Sequence, residues 1–148
     1  MPFRFALQTL LRFRESLEHQ HELRLQEANL QVSGVERQIE ALDRSQDGLS
    51  AYETHELEGG ISAAQLHFHT HLRYVLKLRR DALQLELVRR RELQKLRQNE
   101  LQAARAQHQA VATLRENQLR SYRLEERGRQ QRSLDELFLL RREYFRRR

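Results

Sequence analysis

The sequence contains no cysteine, no tryptophan and one proline, Pro2. Without thiols, disulfides, thiolate zinc sites and cysteine nucleophiles are excluded, and a reducing compartment is permitted. With its only proline at the second position, the chain has no helix breaker of that kind in its interior. Glycine is nearly as scarce: there are five in 148 residues, and no GxxxxGK[ST] phosphate cradle is present. The strand-formers Val, Ile and Thr are few. Long apolar runs are missing as well. The longest, "LFLL" (Leu137–Leu140), falls far short of the roughly 20 residues of a spanning helix. In "MPFRFALQTLLRFRE" arginine interrupts the apolar residues before a signal-peptide core can form. The expectation is a cytoplasmic protein, peripheral to a membrane at most.

The residues that are present suit long helices. The chain is 39% hydrophobic and 32% charged, with a mean hydropathy of −0.86. Its apolar residues are mostly Leu and Ala scattered singly among Arg, Glu and Gln, which fits a narrow stripe better than a thick core. Leu7, Leu10 and Leu17 open such a stripe. Leu25, Ala28, Val32, Val35, Ile39, Leu42 and Leu49 continue it in alternating steps of three and four, with Gln46 filling one turn. That alternation is the heptad pattern of a coiled-coil seam. The gap from Leu17 to Leu25, bridged by His21, reads as a stutter. A second run follows through Leu72, Leu76 and Leu83 and later Leu101, Ala104, His108 and Val111. Between these two groups leucines fall on more than one face, and no single register emerges.

"ELEGGISAAQL" (Glu56–Leu66) separates the two runs. Gly59 and Gly60 permit the positive φ that ends a helix. Ser62 with Gln65 three residues on makes a capping box, and Ile61 and Leu66 occupy the staple positions. The pattern predicts one all-α domain over 1–148, an antiparallel two-helix coiled-coil hairpin with a longer second helix: helix 1 about 4–56, turn 57–61, helix 2 about 62–145. Gly128 in "EERGRQQRS" marks a weak point in helix 2. At about 1.5 Å per residue the helices would measure about 75 Å and 120 Å, a thin rod. Folding at Gly60 would pair residue i with about 118 − i, bringing the N-terminus to Val111–Leu114. The rest of helix 2 would overhang.

The net charge of +6 concentrates in that overhang. From Arg120 onward there are ten arginines against five acidic residues. Such an end suits an acidic partner, nucleic acid or an anionic membrane, while arginine at a helix C-terminus also simply complements the helix dipole. Catalytic machinery is not evident, because a two-helix rod offers no concave pocket in which to exclude water. No catalytic, cofactor-binding or metal-binding residue is assigned. His67 and His71 in "HFHTH" have the i,i+4 spacing of a metal pair, and His55 and Glu56 lie across the turn. Polar histidines near a turn are nonetheless more often solvated. His21 and His108 fall on the seams.

"FRFALQTLLRFRESLE" at the N-terminus (Phe3, Phe5, Leu7, Leu10, Leu11, Arg14, Glu15, Glu18) resembles the start of the bacterial flagellar FliJ proteins. The length, the absence of cysteine, the central glycine turn followed by Ile61 and the basic end are also similar. The resemblance implies an antiparallel two-helix coiled coil that serves as the non-enzymatic central stalk of the flagellar type III export apparatus, and so flagellum biogenesis, motility and chemotaxis. It implies no cofactor, no small-molecule substrate and no nucleic acid. The implied partners are the hexameric flagellar export ATPase, the export gate membrane protein and export chaperones. The implied location is peripheral to the cytoplasmic face of the inner membrane. A gate-binding face after the turn corresponds to Leu72, Leu76, Arg79 and Leu83, where Arg79 and Leu83 depart from the residue types of the family. The end entering the ATPase ring corresponds to Phe3, Phe5, Leu7, Leu10 and Leu11 with Phe138, Arg141, Arg142, Tyr144 and Phe145. Competing readings are the stalk of a virulence-type secretion system, a basic coiled coil that binds nucleic acid, and a self-associating structural coil.

Overall fold

A computed structural model describes residues 2–147; Met1 and Arg148, the last of the tail arginines, lie outside the described residues. It contains two helices, α1 (Gln8–Gly59, 52 residues) and α2 (Ala63–Arg146, 84 residues), packed antiparallel, with no strand among the described residues.

α1 begins four residues later than the apolar pattern predicts and ends three residues later. Residues 2–5 are not helical. Phe5 is instead buried (8% exposed), and its carbonyl accepts a hydrogen bond from the Gln8 amide at 3.2 Å to open the first turn. At the far end Gly59 stays helical, and only Gly60 takes a left-handed φ, +85°. One glycine makes the turn, so the second need not leave the helix. Ser62 then starts α2 as expected. The Gln65 amide donates to Ser62 Oγ (3.2 Å), Gln65 Oε1 accepts from the Ser62 amide (3.1 Å), and the Leu66 amide donates to the Ser62 carbonyl (3.1 Å). This is the reciprocal capping box. Ser62→Ala should therefore destabilise the hairpin by about 0.5–2 kcal/mol. An unchanged thermal midpoint in circular dichroism would mean that this cap contributes nothing.

The fold forms two compact units. The first is His19–Gln102, which contains the turn. Its core is thin: Ala28, Val32, Val35, Leu42 and Leu101 are buried, with Leu25, Ile39 and Leu49 half-buried beside them. Polar side chains occupy the rest of the seam and join the helices. Arg80 Nε donates to Asp43 Oδ1 at 2.7 Å, and Arg90 donates to both Gln31 and Glu86 at 2.7 Å. Gln94 Nε2 donates to Asn29 Oδ1 at 2.7 Å, Arg91 donates to Glu36 at 2.9 Å, and Arg73 donates to Glu53. Residue i of α1 thus lies opposite a residue near 123 − i, as Asp43–Arg80 and Asn29–Gln94 show. That is about five residues beyond the expected pairing, because the chain reverses after Gly60.

The unassigned register also becomes clear. Leu83, Leu87, Arg90, Gln94 and Arg97 are half-buried toward α1, whereas Leu85, Val88 and Leu96 are exposed. The extra step lies in α2, where Leu72, Leu76, Arg80 and Leu83 follow in steps of four, four and three.

The second unit, Met1–Glu18 with Ala103–Arg148, uses the same kind of seam. Ala104 and Phe5 are buried. Glu18, not Leu17, takes the heptad position before His21 on α1, so α1 keeps an unbroken heptad and the predicted stutter is absent. Glu18 is held by His108 Nδ1 at 2.6 Å and Arg105 at 3.4 Å. Gly128 does not interrupt α2, which continues to Arg146.

Charge divides between the helices. α1 carries five arginines against eleven acidic residues, a net −6, and α2 carries nineteen lysines and arginines against ten acidic residues, a net +9. Individual exposed ion pairs contribute only about 0–1 kcal/mol. Their consistent sign still favours pairing of α1 with α2 and penalises pairing of like helices.

Candidate functional site

In the unit holding the N-terminus, Phe3 packs against α2 and Phe5 is buried. The Phe3 ring lies 5.6 Å from the Tyr122 ring at 49°. Phe3 therefore meets Tyr122 rather than the Val111–Leu114 region expected from the sequence, for the same reason that the pairing is offset. Leu10 and Leu11 are half-buried, and Leu7 is exposed. Pro2, Phe3 and Arg4 border a shallow groove with Asn117, Gln118, Ser121, Tyr122 and Glu125. Arg14 hydrogen-bonds Gln107 across the pair.

α2 continues well beyond these contacts. Every described residue from 129 to 147 is exposed. Phe138, Arg141, Arg142, Tyr144 and Phe145 all lie on this stretch. The Arg141 guanidinium sits 5.8 Å from the centre of the Phe145 ring, and Tyr144 and Phe145 meet edge-on at 5.9 Å. The N-terminal candidates Phe3 and Phe5 are thus packed, while the C-terminal candidates are open to solvent.

The other candidate face lies in the unit containing the turn. Leu72, Leu76 and Leu83 are half-buried along the seam with α1, and Arg79 is exposed. Phe68, Val75, Leu78 and Leu85 point away from α1 and are exposed. Sequence reasoning missed this outward row because leucines at 83, 85 and 87 look alike until the inward side is known. The available signal was the 68, 75, 82 spacing, with Leu78 and Leu85 three residues after Val75 and Ala82.

The histidines separate by direction. His67 and His71 are exposed, whereas His69 is buried at 7% exposure, with its ring 5.7 Å from Tyr52 and Nδ1 3.5 Å from Glu53. His21 Nδ1 lies 3.8 Å from Glu100. Among the described residues no group of three or more histidines and carboxylates is placed to hold a metal ion. Near the turn, a hydrogen bond from the Tyr52 phenol to Glu56, together with the negative charge of that carboxylate, raises the phenol above its ordinary pKa. The bond and charge of Asp43 likewise hold Arg80 more firmly protonated than usual.

Residues 3–148 match the profile of a family described as "Flagellar FliJ protein". This chain belongs to the flagellar FliJ family. The match covers both helices and the turn, so it confirms the family suggested by the N-terminal residues. No curated protein and no solved structure matches the chain significantly. Membership in the FliJ family assigns the protein to the flagellar export stalk, a structural role, and its partners to the export apparatus in general terms. No described helix is long and apolar enough to cross a membrane.

Proposed function

We propose that this chain inserts its free end into the hexameric export ATPase ring, couples that ring to the export gate and escorts export chaperones, working peripherally at the cytoplasmic face of the inner membrane. The observation that carries this reading is the extension of α2 past Tyr122, exposed from residue 129 to 147 and rich in arginine. A shaft in a ring must present different faces to successive subunits. Distributed charge suits that task, because attraction over about one Debye length, roughly 8–10 Å, tolerates misalignment. Phe138, Arg141, Arg142, Tyr144 and Phe145 are the proposed ring contacts, with Phe3, Phe5, Leu7, Leu10 and Leu11 bracing the shaft behind them. The gate contact is proposed at Leu72, Leu76, Arg79 and Leu83. The exposed Phe68, Val75, Leu78 and Leu85 row of the same segment offers additional surface, since α1 half covers the first three leucines.

The test is a chain ending at Ser121. It removes the exposed tail and leaves most cross-helix pairs intact. Full-length protein should promote hexamer formation and hydrolysis by the export ATPase, with binding that weakens steeply as salt rises. The truncated chain should keep its helical spectrum and lose both the binding and the salt dependence. Equal binding by the two chains at every salt concentration would overturn the ring-end assignment.

A further inference from the structure

The last four turns of α2 have a feature that a basic tail does not require. Successive residues are about 100° apart around a helix. On that basis Leu134, Leu137, Phe138, Leu140, Tyr144 and Phe145 fall within an arc of about 160°. Each of these six is at least 60% exposed. The acidic residues Asp135 and Glu143 fall on the far side of the helix, and Glu136 lies outside the arc, about 40° beyond its Leu140 edge. Arg142 and Arg147 fall at its two borders, and Arg141 falls inside it, stacked on Phe145. A wide apolar face rich in aromatics, edged by arginine and with no acidic residue inside it, is the arrangement of a helix lying in a lipid interface.

We propose that residues 134–147 bind directly to an anionic phospholipid surface, lying flat with this face at the level of the headgroups and the outermost acyl carbons. Arg141 decides between a membrane and an apolar protein groove. Closing a dry groove over the face would bury that guanidinium, and a buried charge without a partner is costly. At a lipid surface its long stem lets the guanidinium reach up to a phosphate while the neighbouring rings stay in the apolar layer. Arg142 and Arg147 reach phosphates from the two edges. The apolar area and the charge then act together, and neither suffices alone. Depth is limited by Arg141, so the helix rests at the interface and does not span it.

The inference does not rest on the ring or the gate. The same side chains are proposed above to enter the ring, so the two occupants exclude each other: a tail lying on lipid is withheld from the ATPase.

The experiment is co-sedimentation of purified full-length protein with vesicles of phosphatidylcholine alone and of phosphatidylcholine containing phosphatidylglycerol, with no other protein present. Binding is expected to the anionic vesicles, with little to the neutral ones. The paired change Leu137→Ser with Phe138→Ser should lower partitioning about tenfold or more. Replacing Arg141, Arg142 and Arg147 by glutamine should lower it about fivefold for each arginine removed, and should also erase the preference for anionic lipid. Leu139→Ser, on the polar side of the helix, should change nothing. All these positions are exposed, and circular dichroism will show whether each variant stays helical. The proposal is overturned if the anionic vesicles capture no protein, if neutral vesicles capture it equally, or if Leu139→Ser costs as much as the Leu137 and Phe138 pair. Failure on vesicles alongside normal stimulation of the export ATPase would remove the lipid site and leave the stalk reading standing. The reverse result would do the opposite.

Discussion

Leu42→Ala is expected to cost about 2–5 kcal/mol, as one of the large apolar truncations in the seam. Leu42 is 8% exposed and is one of two leucines among the seven buried apolar residues in the described part of the chain; the others are alanine, valine and one phenylalanine. Its neighbours along the seam include the polar Asp43, Gln46 and Arg80 as well as Ile39, Leu49 and Leu83, all only half-buried. Total stabilities of small folds are only about 5–15 kcal/mol, and a two-helix pair belongs at the low end. The loss should therefore appear as a large drop in the thermal midpoint followed at 222 nm. Leu85→Ala is the control: Leu85 is 56% exposed and its truncation should shift the midpoint little. Similar midpoints for both variants would show that the seam does not hold the helices together as described.

The second large effect is expected at the turn. Gly60 has φ +85°, a region that a β-branched side chain enters only under strain. No atom lies within 4 Å of a Cβ built there, so the penalty comes from the backbone and not from a clash. Gly60→Val should cost about 1–3 kcal/mol. Gly59→Ala should instead be neutral or stabilising, because Gly59 is helical and its Cβ would also meet open space. The contrast between adjacent glycines is readable by chemical denaturation of the two variants side by side. Equal destabilisation would place the reversal at a different residue.

This asymmetry also shows how far the sequence could be read. "GGIS" with Gln65 announced a turn and a cap, and both are present. Which glycine turns is a matter of backbone angles, which two identical residues cannot disclose. The α1 stripe from Leu25 to Leu49 was legible because valine, isoleucine and leucine recur at the seam positions. Its N-terminal end was not, because a search for apolar residues stops at Leu17 while the position belongs to Glu18. A carboxylate becomes a seam residue only when His108 and Arg105 stand opposite, which is information from the other helix. The same holds for residues 83–100, where leucines point both inward and outward and where Arg90, Gln94 and Arg97 complete the inward row. The candidate site divides similarly. The exposure of the tail follows from the longer second helix, but the packing of Phe3 on Tyr122 depended on a pairing offset that no local pattern records.

The opposite charges of α1 and α2 do not depend on whether the two helices belong to the same molecule. A chain opened at Gly60 would find in a second open chain the same arginines for its carboxylates, in the same register, so an exchanged dimer retains every cross-helix pair of the closed hairpin. Neither the apolar seam nor the ion pairs distinguish the two forms. What favours the closed form is the short connection through Gly60, Ile61 and Ser62, which presents α2 to α1 at an effective concentration on the order of millimolar. Anything that stiffens those three residues lowers that advantage without touching the interface, and two chains then trade two intramolecular pairings for two intermolecular ones.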